Sequence, residues 1–256
     1  MPKVQIAAVI IVNAEIGPSV YKMTIKAPEL ASQAQAGQFV HVKPVGILQP
    51  LLRRPLSIAD IDAAAGTLTL IYRIVGAGTE QLAALTSGEL LDCIGPLGRG
   101  FELSGEKPLL IGGGMGIAPL IFLARSLCPR PIELLIGGRS ENEMFWPGLF
   151  ENLCDSLHIT TDDGTAGVQG TTVDLLPHLL EKNKFDVIYT CGPRIMMENI
   201  AKLADGAGIP CYVSLEAHMA CGVGACLSCT CEGTDKVRRK ICSDGPVFKA
   251  QEVFAL

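Results

Sequence analysis

The sequence has few charged residues and no long apolar run, and both shortages exclude classes of protein. Charged residues make up 18% of the 256 positions and hydrophobic residues 48%, which excludes a disordered chain, because such a chain cannot bury enough apolar surface to offset its ordering entropy. The longest purely apolar run near the start is Ile6–Val12, whereas a membrane span needs about 18 residues. No Ala-x-Ala cleavage pattern follows directly. We therefore expect no membrane span, no secretion and a cytoplasmic, reducing location.

The chain also lacks the positive charge that nucleic acids attract. Its formal net charge is −5, so electrostatics gives no support to a nucleic-acid partner. It has neither a Ser–His–Asp set nor a Glu-x-x-His metal motif, and its histidines are dispersed at His41, His158, His178 and His218. His218 lies close in sequence to a cysteine cluster, but we expect packing or exposure there rather than a redox role.

Residues 1–103 have the pattern of a β domain. Apolar or alternating runs are separated by turn residues such as Gly17-Pro18. These runs predict strands at Val4–Val12, Tyr21–Ala27, Gln38–Pro44 and Thr67–Val75. One helix is predicted at Thr79–Leu85, with Thr79 as its N-cap. Several short strands without long helices between them indicate a barrel or a sandwich.

Residues 104–216 alternate between predicted strands and helices. The predicted strands are Lys107–Gly114, Ile132–Gly138, Leu157–Asp162, Phe185–Cys191 and Ile209–Leu215. The predicted helices are Ile117–Leu127, Glu143–Leu153, Thr172–Glu181 and Arg194–Ala204. This alternation predicts an α/β domain with a parallel sheet, helices on both faces, and a ligand crevice at the carboxyl ends of the strands.

The ten cysteines are unevenly distributed. Five are scattered through apolar segments, as small buried residues often are, and five crowd into residues 217–256. The spacing Cys221-x4-Cys226-x2-Cys229, followed after twelve residues by Cys242, is the plant-type [2Fe-2S] arrangement. A structural zinc site or free thiols are the alternatives, although zinc sites usually contain two Cys-x2-Cys pairs. We leave Cys231 outside the ligand set, because its alternation with Cys229 on a strand points it away. A segment of about forty residues rarely builds a stable core unaided, so a metal staple makes physical sense there.

Two groups of residues in the β domain suit a flavin. Arg54-Pro55-Leu56-Ser57 stands between two predicted strands and offers a guanidinium fork for phosphate and a hydroxyl for phosphate or the flavin ring. Farther along, Ile71-Tyr72-Arg73 offers an aromatic ring for stacking and a second cation for a pyrophosphate. Gly78-Thr79 presents backbone N–H groups at a helix start.

A glycine-rich loop in the second domain suits a dinucleotide. Gly112-Gly113-Gly114-Met115-Gly116 lies between a predicted strand and a predicted helix. It does not fit Gly-x-Gly-x-x-Gly, since position 117 is Ile, and a plain connector is the alternative. The loop still exposes backbone at a helix N-terminus, where a pyrophosphate can approach. Cys191-Gly192-Pro193 ends another strand at the same edge. NAD against NADP stays open, because Arg139 suits either a 2′-phosphate or a solvated loop.

Taken together, these motifs resemble those of the ferredoxin–NADP reductase superfamily across essentially the whole chain. The variant with a C-terminal [2Fe-2S] cluster in this spacing is the electron-transfer subunit family of dihydroorotate dehydrogenase B. The resemblance implies an α+β multidomain fold: a flavin-binding antiparallel barrel (1–103), an α/β nucleotide-binding domain (104–216) and a small cluster domain (217–256). It implies FAD contacts at Arg54–Ser57, Ile71–Arg73, Gly78 and Thr79, NAD contacts at Gly112–Gly116 and Cys191–Pro193, with Cys191 near the flavin, and cluster ligands Cys221, Cys226, Cys229 and Cys242.

The same resemblance implies a function and a partner. A flavin can exchange one or two electrons, so it connects a one-electron cluster with hydride transfer to nicotinamide. In the family, an FMN-containing catalytic subunit oxidises dihydroorotate for pyrimidine (UMP) biosynthesis, in a heterotetramer with two subunits of each kind. The alternatives are a subunit of another NAD(P)-linked complex, of hydrogenase or ferredoxin:NADP oxidoreductase type, and a zinc-stapled interaction module without enzyme activity.

Overall fold

An antiparallel β-barrel forms the N-terminal part of the protein. The structure, a computed structural model, describes residues 3–46 and 49–256. Within these ranges six strands close the barrel in the order β1-β2-β5-β4-β3-β6. They are β1 (Val4–Gly17), β2 (Val20–Lys26), β3 (Phe39–Pro44), β4 (Arg54–Asp62), β5 (Thr67–Arg73) and β6 (Leu90–Leu97). The short helices α1 (Pro28–Ala31) and α2 (Ala77–Ala83) lie in its connections.

The barrel contains the four predicted strands, but β4 and β6 were not predicted and two further details differ. Side chains such as Met23, Ile25, Leu68 and Leu70 are fully buried on its inner face. The motif Arg54–Ser57 does not stand between strands; it begins β4, which pairs with β3. Nor does Thr79 cap α2. The helix begins two residues earlier behind Gly76, and Thr79 Oγ1 accepts a hydrogen bond from Val75 N and donates one to Gly76 O.

A mainly parallel sheet forms the second layer. Seven strands of the described chain take the order β10-β9-β8-β7-β11-β12-β15. They are β7 (Pro108–Gly113), β8 (Glu133–Gly138), β9 (Ser156–Thr161), β10 (Val168–Gln169), β11 (Val187–Cys191), β12 (Cys211–Ser214) and β15 (Val247–Lys249). All neighbours pair in parallel except β15, which joins β12 antiparallel. The main helices are α3 (Ala118–Leu127), α4 (Thr172–Lys182) and α5 (Arg194–Gly206).

Both faces of the sheet are covered, as the sequence predicts. Successive residues of a strand point to opposite faces, and here they enter different cores. Leu110 packs in the core that contains α3 and the barrel interior, whereas Leu109 and Ile111 pack in the core that contains residues of α4 and α5. Helix α3 therefore lies between sheet and barrel, with α4 and α5 on the other face.

One predicted helix is wrong. Residues 143–153 contain no α-helix, only the 3₁₀ turns Glu141–Glu143 and Pro147–Phe150. Pro147 has no N–H to donate and its ring clashes with the preceding turn, and Gly148 adds conformational entropy, so a continuous helix is disfavoured there. The apolar spacing that suggested a helix instead buries Trp146 and Phe150.

The C-terminal residues pack against both layers. The hairpin β13 (Thr230–Glu232) and β14 (Arg238–Lys240) is followed by β15 and by α6 (Ala250–Val253). Cys229, Ile241, Cys242 and Phe248 are buried in the same core as Phe39 and Leu97 of the barrel and the helices α4 and α5. Across the described residues, no helix is long and apolar enough to cross a membrane.

Candidate functional site

A cavity of about 540 Å³ lies where the barrel, the sheet and the C-terminal segment meet. Its barrel wall contains eight of the nine residues predicted to contact a flavin: Arg54, Pro55, Leu56, Ser57, Ile71, Tyr72, Arg73 and Thr79. The opposite wall contains Met115 and Ala118 beside the glycine-rich loop and the run Ser214–Met219, which leads to Cys221. The structure thus brings two separate sequence motifs of the barrel into one site.

Gly78, the ninth predicted residue, lies behind Arg54 rather than in this wall. A methyl group on Gly78 would lie 2.2 Å from Arg54 Nε and Nη2. Only a glycine therefore lets the guanidinium lie against the start of α2. Arg54 also donates a hydrogen bond to the carbonyl of Leu52. These contacts hold the cation at the edge of the cavity, where a phosphate would meet it.

Tyr72 and Arg73 contribute different chemistry to the cavity. The Tyr72 ring stacks on Tyr21 with 5.9 Å between centroids, and its hydroxyl donates to Asn13 Oδ1 at 2.9 Å. Burial raises the pKa of Tyr72, so its hydroxyl keeps its proton. Arg73 Nη1 lies 3.5 Å from Glu143 Oε1, while its buried Nε has no hydrogen-bond partner among the described residues. An unpartnered guanidinium N–H in a cavity wall suits an anionic ligand.

The predicted dinucleotide residues border a second cavity, of about 300 Å³. It is lined by Gly113, Gly114, Met115, Gly116, Gly192, Pro193 and Arg194, together with Met197, Leu215, Glu216 and Ile241. A methyl on Gly116 would lie 2.5 Å from the backbone of Cys191 and Gly192, so the loop and the turn approach as closely as backbone allows. Met115, Leu215 and Glu216 line both cavities, which therefore adjoin.

Two predicted residues of this region are placed elsewhere. Gly112 does not line the cavity; a methyl there would lie 2.7 Å from Ile117 Cγ1, so it serves the packing of α3. The buried thiol of Cys191 is 3.7 Å from the Ser214 carbonyl oxygen. Cys191 lines neither of the two cavities. Burial raises the pKa of Cys191, and the negative charge of Glu216 adds to this effect.

Glu216 is a site residue to which the sequence analysis assigned no role. It follows β12 at the carboxyl edge of the sheet, where such folds bind ligands, and its exposed side chain faces both cavities. Although water reaches this side chain through the cavities, the surrounding protein partly desolvates it and so raises its pKa. Its position after the fifth predicted strand was the signal available in the sequence. His218 is exposed, as expected, and also lines the larger cavity.

Arg139 is held by an ion pair. Its Nε and Nη2 lie 3.1 and 2.6 Å from Glu143 Oε1. Hydrogen bonding from Arg139 lowers the pKa of the Glu143 carboxyl, and Arg73 contributes to the same shift. Glu143 thus connects the loop after β8 with a cation of the larger cavity.

Residues 221–229, the cysteine loop, fold around the sulfur of Cys221. Cys221 Sγ accepts hydrogen bonds from the N–H groups of Val223, Ala225 and Cys226 at 3.3–3.4 Å. Desolvation opposes the effect of these donors, but together they lower the pKa of Cys221 to about 6. The loop curls because Gly222 and Gly224 adopt φ of 69° and 86°, which favours glycine.

The other cysteines of this segment occupy distinct positions. Cys229 and Cys242 are buried and adjacent, and Cys242 N donates to Cys229 Sγ at 3.4 Å. Cys231 lies on β13, where desolvation raises its pKa. No group of three or more His, Cys, Asp or Glu side chains in the described chain is placed to hold a metal ion. The observations that fit a cluster are therefore the N–H donors around the sulfurs and the pairing of Cys229 with Cys242.

Comparison with known proteins identifies the family. Residues 216–254 match the iron–sulfur cluster binding domain of dihydroorotate dehydrogenase B. The chain is 40% identical over 246 residues to the electron transfer subunit of dihydroorotate dehydrogenase B (NAD(+)) of Bacillus caldolyticus, covering 93% of this chain and 94% of the relative. It is 39% identical to that of Shouchella clausii, covering 99% of both. The chain belongs to this family.

Membership makes the protein an electron transfer subunit of an NAD-dependent oxidoreductase in pyrimidine biosynthesis, with a catalytic subunit as its partner and an iron–sulfur binding domain of its own. A solved structure described as an NADH-dependent reduced ferredoxin–NADP oxidoreductase is 31% identical, with a TM-score of 0.87 over 97% of this chain and 90% of that chain. A ferredoxin NADP⁺ reductase from Neisseria gonorrhoeae with bound FAD and NADP shares 17% identity and a TM-score of 0.67 over 80% of this chain and 92% of that chain. That likeness shows the shared fold.

Proposed function

We propose that electrons from an FMN-containing dihydroorotate dehydrogenase subunit pass through a [2Fe-2S] cluster and FAD in this chain to NAD⁺. One observation carries the proposal. The larger cavity joins the flavin motif of the barrel to Ser214–Met219, the run that leads to Cys221, and it shares three residues with the dinucleotide cavity. This adjacency supports the order of cluster, flavin and nicotinamide that the chemistry requires.

The larger cavity fits FAD. Arg54 supplies a held guanidinium and Arg73 a buried N–H without a partner in the described chain, and both suit a pyrophosphate. Ser57 supplies a hydroxyl, and Ile71 and Tyr72 supply apolar surface. Bound FAD would supply the exchange between one-electron and two-electron chemistry. The role of the protein is to bind it, orient it and exclude water.

The cysteine loop fits a [2Fe-2S] cluster with Cys221, Cys226, Cys229 and Cys242 as ligands. The spacing matches this cluster type, and backbone N–H groups already donate to two of the four sulfurs. Such donors stabilise the extra electron of a reduced cluster. Cys231 stays outside the set, on β13.

The smaller cavity fits NAD, with Gly113–Gly116 and Gly192-Pro193 offering close-packed backbone to the dinucleotide. Gly112 and Cys191 support this wall from behind. We assign residues 1–103, 104–216 and 217–256 to FAD, NAD and the cluster, and we infer a heterotetramer with two catalytic subunits. We place the protein in the cytoplasm, because none of the ten cysteines is placed in a disulfide and reduced cysteines persist in reducing compartments.

Reconstitution tests the proposal. The purified chain should contain flavin and two irons, and with the catalytic subunit from the same organism it should reduce NAD⁺ at the expense of dihydroorotate. A parallel assay with NADP⁺ in place of NAD⁺ tests which of the two dinucleotides accepts the electrons. A complex that oxidises dihydroorotate with a dye yet never reduces NAD⁺, although FAD and iron are present, would contradict the proposed route.

The second candidate is a subunit of a ferredoxin–NADP oxidoreductase type complex. It is favoured by the 31% identity to the solved structure of that description. The same reconstitution separates the two, because that candidate predicts ferredoxin-dependent activity and none with dihydroorotate.

A further inference from the structure

His41 is a buried polar side chain that the proposed function does not use. It lies on β3 between Val40 and Val42, which point into the barrel core. Alternation along the strand therefore turns His41 outward, towards the C-terminal segment. Its exposed fraction is 0%, although histidine usually keeps some contact with water.

Neither ring nitrogen of His41 has a hydrogen-bond partner among the described residues. A buried donor without a partner destabilises the fold, so its place in the fold requires a reason. Packing alone would be served as well by an apolar side chain of similar shape. The Arg53 side chain does not supply the reason. It forms an ion pair with Asp92, and its hydrogen bond to His41 goes to the backbone carbonyl, at 3.4 Å, rather than to the ring.

The ring faces the cysteine loop. A methyl group on Gly222 would lie 2.6 Å from His41 Nδ1, so the absence of a side chain at Gly222 makes the approach possible. Burial, followed by the charge of Arg53, lowers the pKa of His41 to about 4, and the nearby backbone of Cys221 opposes this shift. On its other side, His41 is paired along the ladder with Pro55 of the flavin motif. One side chain therefore lies between the proposed flavin strand and the proposed cluster loop.

We propose that His41 is a positioning residue for the iron–sulfur centre, whose ring N–H is directed at the Cys221–Gly222 segment and holds it against the flavin strand. An imidazole carries at least one N–H in either protonation state. A donor at this place stabilises the more negative, reduced form of a cluster and so raises its reduction potential. The proposal rests on the ligand set given above.

The test compares two substitutions at His41 in the holoprotein bound to its catalytic subunit. His41→Phe keeps a ring and removes the N–H, whereas His41→Gln keeps a donor. We expect His41→Phe to lower the midpoint potential of the cluster by about 59 mV, which is a tenfold change in the equilibrium of a one-electron couple. A redox titration followed by EPR measures this potential. His41→Gln should recover most of this shift. An unchanged potential in His41→Phe, or equal shifts in both variants, would overturn the proposal.

Two glycine variants decide the matter if His41→Phe does not fold. Gly222→Ala and Gly224→Ala place a methyl in the same loop at similarly positive φ, but only the first meets His41; the second meets Ser243 Oγ at 3.0 Å. Gly222→Ala should lower the potential or the iron content more than Gly224→Ala. Equal effects of the two glycine variants would contradict the proposal.

Failure of the ligand set gives a different result. A Cys221→Ser protein with the wild-type EPR spectrum would remove the ligand assignment itself. If the Cys221→Ser spectrum changes while His41→Phe leaves the potential unaltered, only the role of His41 is rejected.

Discussion

Two neighbouring arginines of the barrel have different environments, and this separates their expected functions. Arg54 lies against Gly78 at the wall of the larger cavity, whereas Arg53 is turned to Asp92 in a half-buried ion pair. We expect Arg54→Ala to lower the FAD content of folded protein several-fold, because a phosphate contact is lost. Arg53→Ala should instead lower the free energy of unfolding by about 1–3 kcal/mol while the folded fraction keeps its flavin. The flavin-to-protein absorbance ratio and thermal unfolding measure the two effects, and full flavin occupancy in Arg54→Ala would remove the assignment.

Glu216 gives a pH-dependent prediction. Desolvation raises its pKa in the folded state, so the unfolded chain releases this proton at lower pH than the folded chain does. Between the Glu216 pKa of the unfolded chain and the higher Glu216 pKa of the folded protein, the free energy of unfolding falls as pH rises, and it stays lower above that range. Glu216→Gln should therefore raise the melting temperature of the apoprotein at pH 7 and leave it nearly unchanged below pH ~4, which is near the ordinary carboxyl pKa. A variant that melts lower than the wild type at pH 7 would contradict the sign.

The residues that the sequence made visible are those with special backbone or spacing. Arginines beside Pro or Gly, the glycine-rich loop and the cysteine spacing all stand out in a single sequence. Glu216 and His41 do not, because their importance lies in what surrounds them: Glu216 faces two cavities, and His41 packs on a loop about 180 positions away. No local pattern carries such distant contacts.

At the scale of elements, the sequence predicted most central strands and missed several edges. β10 has two residues and β15 three, which is too short for a periodic signal. β4 was missed because the residues at its start were interpreted as a binding motif. The helix predicted at residues 143–153 was wrong because the prediction followed the apolar spacing and neglected the helix-breaking effect of Pro147. The longer helices α4 and α5 were predicted nearly to their ends. α4 begins with a capping box in which Thr171 and Asp174 bond each other's backbone.

β15 links the C-terminal segment, residues 217–256, to the sheet, so this segment and the sheet should unfold together. Phe248 on this strand is buried in the core that contains Cys229 and Cys242. Phe248→Ala should lower the free energy of unfolding by about 3–5 kcal/mol, with visible absorbance and far-UV circular dichroism lost at the same denaturant concentration. Leu256→Ala is the control, since Leu256 is exposed and its loss should cost less than about 0.5 kcal/mol. Two separate transitions in the wild type would contradict the linkage.

Two cysteines at the start of the hairpin β13–β14 have different proposed roles. Cys229 is buried beside Cys242, whereas Cys231 lies two residues on in β13. Cys229→Ser should abolish or alter the EPR signal of the reduced cluster, and Cys231→Ser should leave two irons per chain. Iron analysis and EPR of both variants check this. Bleaching by Cys231→Ser, with Cys229→Ser unaffected, would mean that the ligand set is wrong.

At the scale of the whole molecule, one chain combines two adjoining cavities and a cysteine-containing loop, to which we assign the flavin, the dinucleotide and the cluster. The barrel and the sheet were predictable as separate units from their different periodicities. Their relative placement was not, because it depends on α3 packing between them and on the C-terminal residues bridging both. The adjoining cavities are a product of that packing.

This arrangement predicts that the activities can be separated. Alone, the chain should oxidise NADH with an artificial dye, since that reaction needs only the proposed flavin and dinucleotide sites, which adjoin, and it should not oxidise dihydroorotate. Adding the catalytic subunit should create dihydroorotate-dependent NAD⁺ reduction. In the complex, Cys229→Ser should lose that activity while retaining part of the NADH–dye activity, because a dye can take electrons from the flavin directly. Stopped-flow measurement of both reactions, with gel filtration to confirm assembly, provides the check. Undiminished NAD⁺ reduction by an assembled complex that lacks the cluster would contradict the proposed electron path.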